Sequence, residues 1–222
     1  PELVRRIQES FPQVKPSNGY GLTETSALTT SCSAEDYETK PSSAGVQAPV
    51  CEVKIVDESG ATVPTEGLGE IWIKGPQVIS EYWNKPEANK KSFSDGWLHT
   101  GDIGRMDEDG FLFIADRAKD MLIRGGENVY CVEVESALYS HPDVMDAAVV
   151  GIPHRVLGEE VGALVQIRPG GSVSEQELKD HVKSQLAGFK VPVRIDQLNE
   201  PLPRNANGKI MKPDVKKIMN IS

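Results

Sequence analysis

Cysteine is scarce in this chain: Cys32, Cys51 and Cys131 are the only three among 222 residues, and they lie far apart. That spacing excludes a disulfide framework and a metal knuckle. No His or basic cluster adjoins any of the three, so each reads as a small packing residue and not as a nucleophile. A reducing cytosol suits this usage. Long apolar runs are also missing. None approaches the roughly 20 residues of a membrane helix, and the first residues lack the pattern of a secretory signal. Positive charge is short in one half only. Residues 1–116 carry 10 Lys/Arg against 19 Asp/Glu, while residues 117–222 carry 14 against 14, so the net charge of −9 belongs to the first half. An acidic pI of about 5.0 argues against nonspecific nucleic-acid binding, which needs basic surface. Internal repeats and low-complexity tracts are absent.

What is present is the composition of a folded globular protein, long enough for one large domain or two small ones. The charge division places a boundary near Arg117, giving segments 1–117 and 118–222. In the first segment, Leu3, Ile7 and Phe11 recur at helical spacing, so Glu2–Phe11 reads as a helix closed by Pro12. Asn18-Gly-Tyr-Gly-Leu-Thr-Glu-Thr25 follows, a loop whose glycines, Gly21 among them, let backbone approach a ligand. Tyr20 offers a flat face to a base, Thr23 a hydroxyl to a phosphate and Glu24 a hard oxygen to Mg²⁺. A plain turn with a capping Thr and a solvated Glu fits the same residues. Residues 31–49 read as a surface loop, Val50–Val56 and Gly69–Lys74 as strands. At His99-Thr-Gly-Asp102, a carboxylate on a Thr-Gly turn suits the two hydroxyls of a ribose. It equally fits an ordinary turn, with His99 packing or capping. Asp107–Gly110 is a hairpin turn, flanked by strands at Phe111–Ala115 and Met121–Ile123. Arg117 then projects from an irregular connection, Asp116–Asp120.

The second segment alternates helix and strand. Gly125-Gly126-Glu127-Asn128 is a flexible loop and Glu133–Tyr139 a helix ended by His141-Pro142. Val144–Ile152 and Val161–Ile167 are β-branched strands bounded by Pro153 and Pro169. Ser174, with Glu177 three positions on, opens a helix through a capping box. Val191–Leu198 is a last strand and Pro213–Met219 a basic terminal helix. Lys209 sits at the tip of Pro201–Lys209, after Asn207-Gly208. A mobile point charge suits a polyphosphate or acyl-phosphate oxygen, and an exposed turn lysine fits as well. This is no P-loop, because no glycine-rich run precedes it after a strand.

Together these pieces resemble the adenylate-forming, or AMP-binding, superfamily, which includes acyl- and aryl-CoA synthetases, luciferases and peptide-synthetase adenylation domains. The resemblance rests on five motifs in order: Gly19–Thr25, Gly69–Gly75 with Tyr82 and Pro86, His99–Ile103, Asp116–Asn128 and Pro203–Lys209. It implies an α+β chain, the strand-rich tail of a large adenylation domain followed by a small mobile αβ domain. It also implies ATP, AMP, Mg²⁺ and CoA as ligands. By the resemblance Tyr20 and Gly21 lie at the adenine, Thr23 at the α-phosphate, Glu24 at Mg²⁺, and Asp102 and Arg117 at the ribose. Lys119 is the hinge, Lys209 the lysine of adenylation, and Gly125 and Gly126 line the passage for pantetheine. The Gly-Gly-Glu-Asn and His-Thr-Gly-Asp forms look more like acyl- or aryl-CoA ligases than peptide-synthetase domains.

One departure stands out. The family's Ser/Thr/Gly-rich phosphate loop and most of its acyl pocket have no counterpart in these 222 residues. The expectation is therefore the C-terminal part of a longer acid–thiol ligase, inactive by itself, with the activated acid unspecified. The alternatives are a peptide-synthetase-type domain, luciferase-like oxidation and a nonenzymatic module that binds AMP or acyl-adenylate.

Overall fold

The computed structural model describes residues 2–221, without the side chains of Glu2, Leu3 and Ala34. The backbone forms two compact units, Pro1–Lys119 and Asp120–Ser222, and each is taken by itself.

The first unit opens with helix α1, Glu2–Ser10, which stops before Phe11 and Pro12. Its apolar stripe differs from the expected one. Val4 is buried and Phe11 is 55% exposed, while the expected place of Leu3 lies outside the described side chains. Strand β1 is Asn18–Tyr20 and β2 is Thr30–Cys32. Helix α2, Ala34–Thr39, and strand β3, Gly45–Gln47, occupy what reads in sequence as a surface loop. The Ser/Pro-rich composition misleads there, because Cys32, Ser43 and Ala44 are buried and Ser43 Oγ donates to the Leu112 carbonyl. Strand β4 (Glu52–Val56) and strand β5 (Gly69–Lys74) follow. Helix α3 (Pro86–Ser92) has proline in its first turn, where the missing N–H costs nothing. Strand β6 is Phe93–Ser94, β7 is Trp97–Met106 and β8 is Phe111–Arg117. All eight strands form one sheet ordered β1-β2-β3-β8-β7-β5-β4, with β6 on β7. Ile55, Ile71, Ile73 and Leu112 form its core.

Two sequence expectations are corrected here. The strand before the Asp107–Gly110 turn is β7, not Met121–Ile123. Arg117 does not project from an irregular link. It ends β8, in register with Asp102 of β7. An alternating stretch reads clearly as a strand, but which strand it pairs with depends on long-range contacts.

The second unit begins with β9, Leu122–Arg124, and β10, Glu127–Val129, joined by Gly125-Gly126. Both glycines have positive φ, 61° and 90°, the pattern of a type I′ hairpin turn. Helix α4 is Cys131–Tyr139. Strands β11, Val144–His154, and β12, Gly158–Ile167, make a long hairpin. The strand does not stop at Pro153 as expected but runs through it to the hairpin's end. Helix α5, Glu175–Lys183, has the expected capping box between Ser174 and Glu177. Strand β13, Arg194–Leu198, lies parallel to β12. Helix α6, Lys212–Ile218, closes the unit. Residues from α4 and α5 share one core with Val149, Val161, Ala163 and Val165. Val215 and Met219 share another with Ala148, Val150 and Leu164. Burial on both faces explains why β11 and β12 read as near-continuous apolar runs.

Candidate functional site

In the first unit Tyr20 and Arg117 meet at Asp102. Strand β7 makes an irregular step there. Glu70 pairs with Ile103 but Trp72 with His99, so β7 advances four residues while β5 advances two. The Thr-Gly-Asp segment is therefore a bulge inside one strand and not a turn between two. Gly101 supplies its positive φ of 70°, a conformation that costs other residues roughly 1–2 kcal/mol. Three bonds replace the interrupted ladder. Thr100 Oγ1 donates to the Ile71 carbonyl at 2.7 Å, the Asp102 N–H donates to Thr100 Oγ1 at 3.0 Å, and the Gly101 N–H donates to Glu70 Oε1 at 2.8 Å. Glu70 Oε2 accepts from the Trp72 indole at 2.9 Å. Neither Glu70 nor Thr100 stands out in the sequence as a site residue. Their signal was only the alternation of β5 and the hydroxyl before Gly101.

The bulge holds the Asp102 carboxylate almost wholly buried. Tyr20 Oη donates to Asp102 Oδ2 at 2.6 Å, and Arg117 Nε lies 3.4 Å from Asp102 Oδ1. Burial pushes the Tyr20 hydroxyl well above the usual phenol range, and the Asp102 carboxylate adds to the shift. Tyr20 therefore stays a donor. Its ring is half buried and packs against the core of this unit, so the ring is less open than a free stacking face. Each carboxylate oxygen has more than one lone pair, so Asp102 can accept further donors such as vicinal hydroxyls. Lys119 is exposed in the turn after β8, where the preceding Ala118 N–H donates to the Gly101 carbonyl at 2.8 Å.

Thr23 and Glu24 lie in a one-turn helix, Thr23–Thr25. The turn is closed by Thr25, whose buried hydroxyl accepts from the Leu22 N–H at 2.9 Å. That leaves the Thr23 side chain exposed. Gly21 is required by space, because a Cβ there would meet the Ala27 carbonyl oxygen at 1.5 Å. Glu24 is not simply solvated: its Oε1 accepts from Tyr82 Oη at 2.8 Å. Its other oxygen fits Mg²⁺, which commonly takes one or two carboxylates and completes its shell with phosphate and water. Among the described residues no cluster of three His, Cys, Asp or Glu could hold a metal. His99 is a packing residue. It stacks on Trp72 at 3.7 Å, its Nδ1 within 3.0 Å of the Lys91 carbonyl and its Nε2 2.6 Å from Ser94 Oγ.

The remaining expected residues lie in the second unit. Gly125 and Gly126 form the exposed turn already described, with the Gly125 N–H bonded to the Leu157 carbonyl at 2.8 Å. Lys209 is exposed on a tight loop. Its N–H donates to Asn205 Oδ1 at 3.0 Å, and its carbonyl accepts from the Asn205 N–H at 2.9 Å. Among the described residues the three cysteines are buried and in no disulfide, and no helix is long and apolar enough to cross a membrane.

Known proteins resemble this chain over most of its length. Residues 1–83 match the family model of AMP-binding enzymes, and residues 133–209 match that of the AMP-binding enzyme C-terminal domain. A 4-coumarate–CoA ligase-like protein of Oryza sativa subsp. japonica is 37% identical over 98% of this chain and 40% of its own length. The 2-succinylbenzoate–CoA ligase of Geobacillus kaustophilus is 42% identical over 90% of this chain and 40% of its own length. Among solved structures, o-succinylbenzoate CoA synthetase from Bacillus subtilis with its acyl-adenylate intermediate superposes with a TM-score of 0.88. It is 39% identical and covers 97% of this chain and 43% of its own. The same synthetase has also been solved with ATP and a magnesium ion. This chain thus spans about two fifths of the length of the relatives it matches. It belongs to the AMP-binding enzyme family.

Proposed function

We propose that this chain is part of an ATP-dependent acyl-CoA synthetase, an acid–thiol ligase that converts a carboxylic acid to acyl-AMP and passes the acyl group to CoA. The observation that carries the reading is the buried Asp102 carboxylate, set on a glycine bulge between Tyr20 and Arg117. An acceptor shaped for two hydroxyls, in a family of AMP-binding enzymes, reads as the ribose site. The CoA-ligase relatives support the choice of CoA as acceptor. Residues 1–117 then form the tail of the large domain and 118–222 the small mobile one. Three buried cysteines in no disulfide suit a cytoplasmic enzyme. The relatives act on aryl and on long-chain fatty acids alike, and fatty-acid metabolism is one setting among these.

Adenylation proceeds by attack of the substrate carboxylate on the α-phosphate with loss of pyrophosphate. Asp102 and Arg117 hold the ribose, Tyr20 and Gly21 border the adenine, and Thr23 donates to the α-phosphate. Mg²⁺, held through Glu24, would neutralise charge on the phosphoryl oxygens. Lys209 stabilises the same developing charge. The second step is attack of the CoA thiol on the acyl carbonyl, with AMP leaving. The Gly125-Gly126 turn, open at Gly126 where a Cβ would meet nothing within 4 Å, borders the pantetheine arm. Rotation about Lys119 exchanges the Lys209 loop for this turn between the steps.

The test is ATP- and CoA-dependent thioester formation by the ligase on a panel of aryl and fatty carboxylates, with AMP and pyrophosphate measured as products. Asp102→Ala is expected to raise KM for ATP and to lower adenylation about 10²-fold, the scale of losing a transition-state contact. AMP binding without turnover on any acid would overturn the enzyme reading in favour of a binding module. Acyl transfer to a carrier protein but never to CoA would overturn the choice of acceptor.

A further inference from the structure

The Lys209 loop is closed on itself. Arg204 and Ile210 form an isolated bridge, the Gly208 N–H donates to the Asn205 carbonyl at 2.9 Å, and Gly208 has φ of 78°. Asn205 Oδ1 accepts from the N–H groups of Asn207 and Lys209, each at 3.0 Å. These bonds set the shape of the loop but not its place on the rest of the unit. Arg204 links the two. One guanidinium nitrogen donates to the carbonyl of Gly208, the residue before Lys209, and another pairs with Asp146 Oδ2 on β11. Asp146 is itself specially placed. Val144 pairs with Ile167 and Asp146 with Gln166, so Met145 is an extra residue, a β-bulge that re-aims the side chain after it. Asp146 also lines a cleft of about 250 Å³ with Val132, Glu135, Tyr139 and Ile210, so the space beside the loop is not filled by packing.

We propose that Arg204 is a positioning residue, a strut that fixes the Lys209 loop to β11 through Asp146. The geometry suits arginine and not lysine, because one planar fork must serve two acceptors in different directions. The pair is partly exposed, with side chains at 42% and 24%. Exposed ion pairs add little stability, so the strut acts on where the loop sits and hardly on whether the unit folds. A flexible lysine stem still needs its root held, since a displacement of about 1 Å at a reacting centre can cost about 10²-fold in rate. The catalytic consequence rests on the reading of Lys209 given above.

Two measurements separate the strut from that reading. In the full 222-residue chain, amide hydrogen exchange of residues 205–210 is expected to rise several-fold in Arg204→Ala and in Asp146→Asn, with the melting temperature little changed. The double variant is expected to match either single one, and Arg204→Lys is expected to restore only part of the protection. Unchanged exchange in both single variants, additive effects or full rescue by lysine would each overturn the strut. In the ligase, Arg204→Ala is expected to lower kcat of acyl-adenylate formation about tenfold. KM for ATP and thioester formation from supplied acyl-adenylate should stay as they are. Equal loss in both half-reactions would overturn the positioning role. Lys209→Ala is the control, expected to slow adenylation by about 10²–10³-fold. If that variant adenylates normally, the reading of Lys209 fails, while the exchange data still decide whether the strut exists.

Discussion

Tyr20 and Asp102 are 82 positions apart in sequence, yet their bond of 2.6 Å defines the candidate site. The raised phenol has a consequence that alkali can read. In the unfolded chain a tyrosine releases its proton at about pH 10, whereas Tyr20 in the folded unit holds it higher, first because of burial and then because of Asp102. Above that pH the folded state binds more protons than the unfolded one, so stability present below about pH 10 falls as pH rises. Urea unfolding between pH 8 and 11 is expected to show a steeper decline in the wild type than in Tyr20→Phe. At neutral pH the phenylalanine variant should be less stable by about 1–3 kcal/mol, because the largely buried Asp102 carboxylate loses a donor. Parallel declines with pH would refute the assignment.

At the scale of elements, α5 shows local and tertiary effects side by side. Its start is local: the Ser174 hydroxyl accepts from the Glu177 N–H at 3.2 Å, and Glu177 Oε2 accepts from the Ser174 N–H at 2.8 Å. Its docking is not. His181 Nε2 lies 2.9 Å from Ser140 Oγ and 3.0 Å from Gln185 Nε2, and the ring meets His141 edge-on at 5.0 Å. Burial lowers the His181 pKa below its ordinary 6.5, and the His141 charge lowers it further. The unfolded chain therefore takes up this proton first. The contribution of His181 is complete above about pH 6.5 and is lost as pH falls below it. Glu177, held below its ordinary range by Ser174, titrates well under that window. Denaturant midpoints from pH 7.5 to 5 should therefore drop in the wild type and stay flatter in His181→Gln. Identical slopes would show that the junction does not sense pH.

For the molecule as a whole, the division after Lys119 is the feature on which the proposed mechanism turns. If the rotation uses the backbone at Lys119, then Lys119→Pro, with φ held near −65° and its N–H removed, should preserve one half-reaction and disable the other. Little stability should be lost, since the residue is exposed. Lys119→Ala should be mild in both steps. Separate stopped assays of acyl-adenylate and of thioester decide this, and a proline variant that ran both at the wild-type rate would move the pivot elsewhere.

Much of this was legible in the residues. The spacing around Gly69–Lys74 names that strand to the residue, and Ser174 with Glu177 names the start of α5, because alternation and capping are local rules. Membership of the AMP-binding family was also legible, through the resemblance of five ordered motifs to that family, a comparison that needs no long-range information. What tertiary structure decided is pairing. That Asp102 sits on a bulge and not a turn follows from which residues of β5 lie opposite, and composition carries no trace of such register. That Arg117 ends a strand facing Asp102 follows from the β7–β8 ladder. The Ser-rich segment 31–49 holds the buried Ser43, whose hydroxyl donates to the Leu112 carbonyl of β8. The Glu24–Tyr82 and Arg204–Asp146 contacts each join side chains 58 positions apart, where local chemistry cannot choose a partner. Sequence by itself determined which chemical groups this protein has and, where alternation or a cap marks them, the starts of elements such as β5 and α5. Only the fold decided which of those groups meet, because burial and strand register act between segments that the chain keeps far apart.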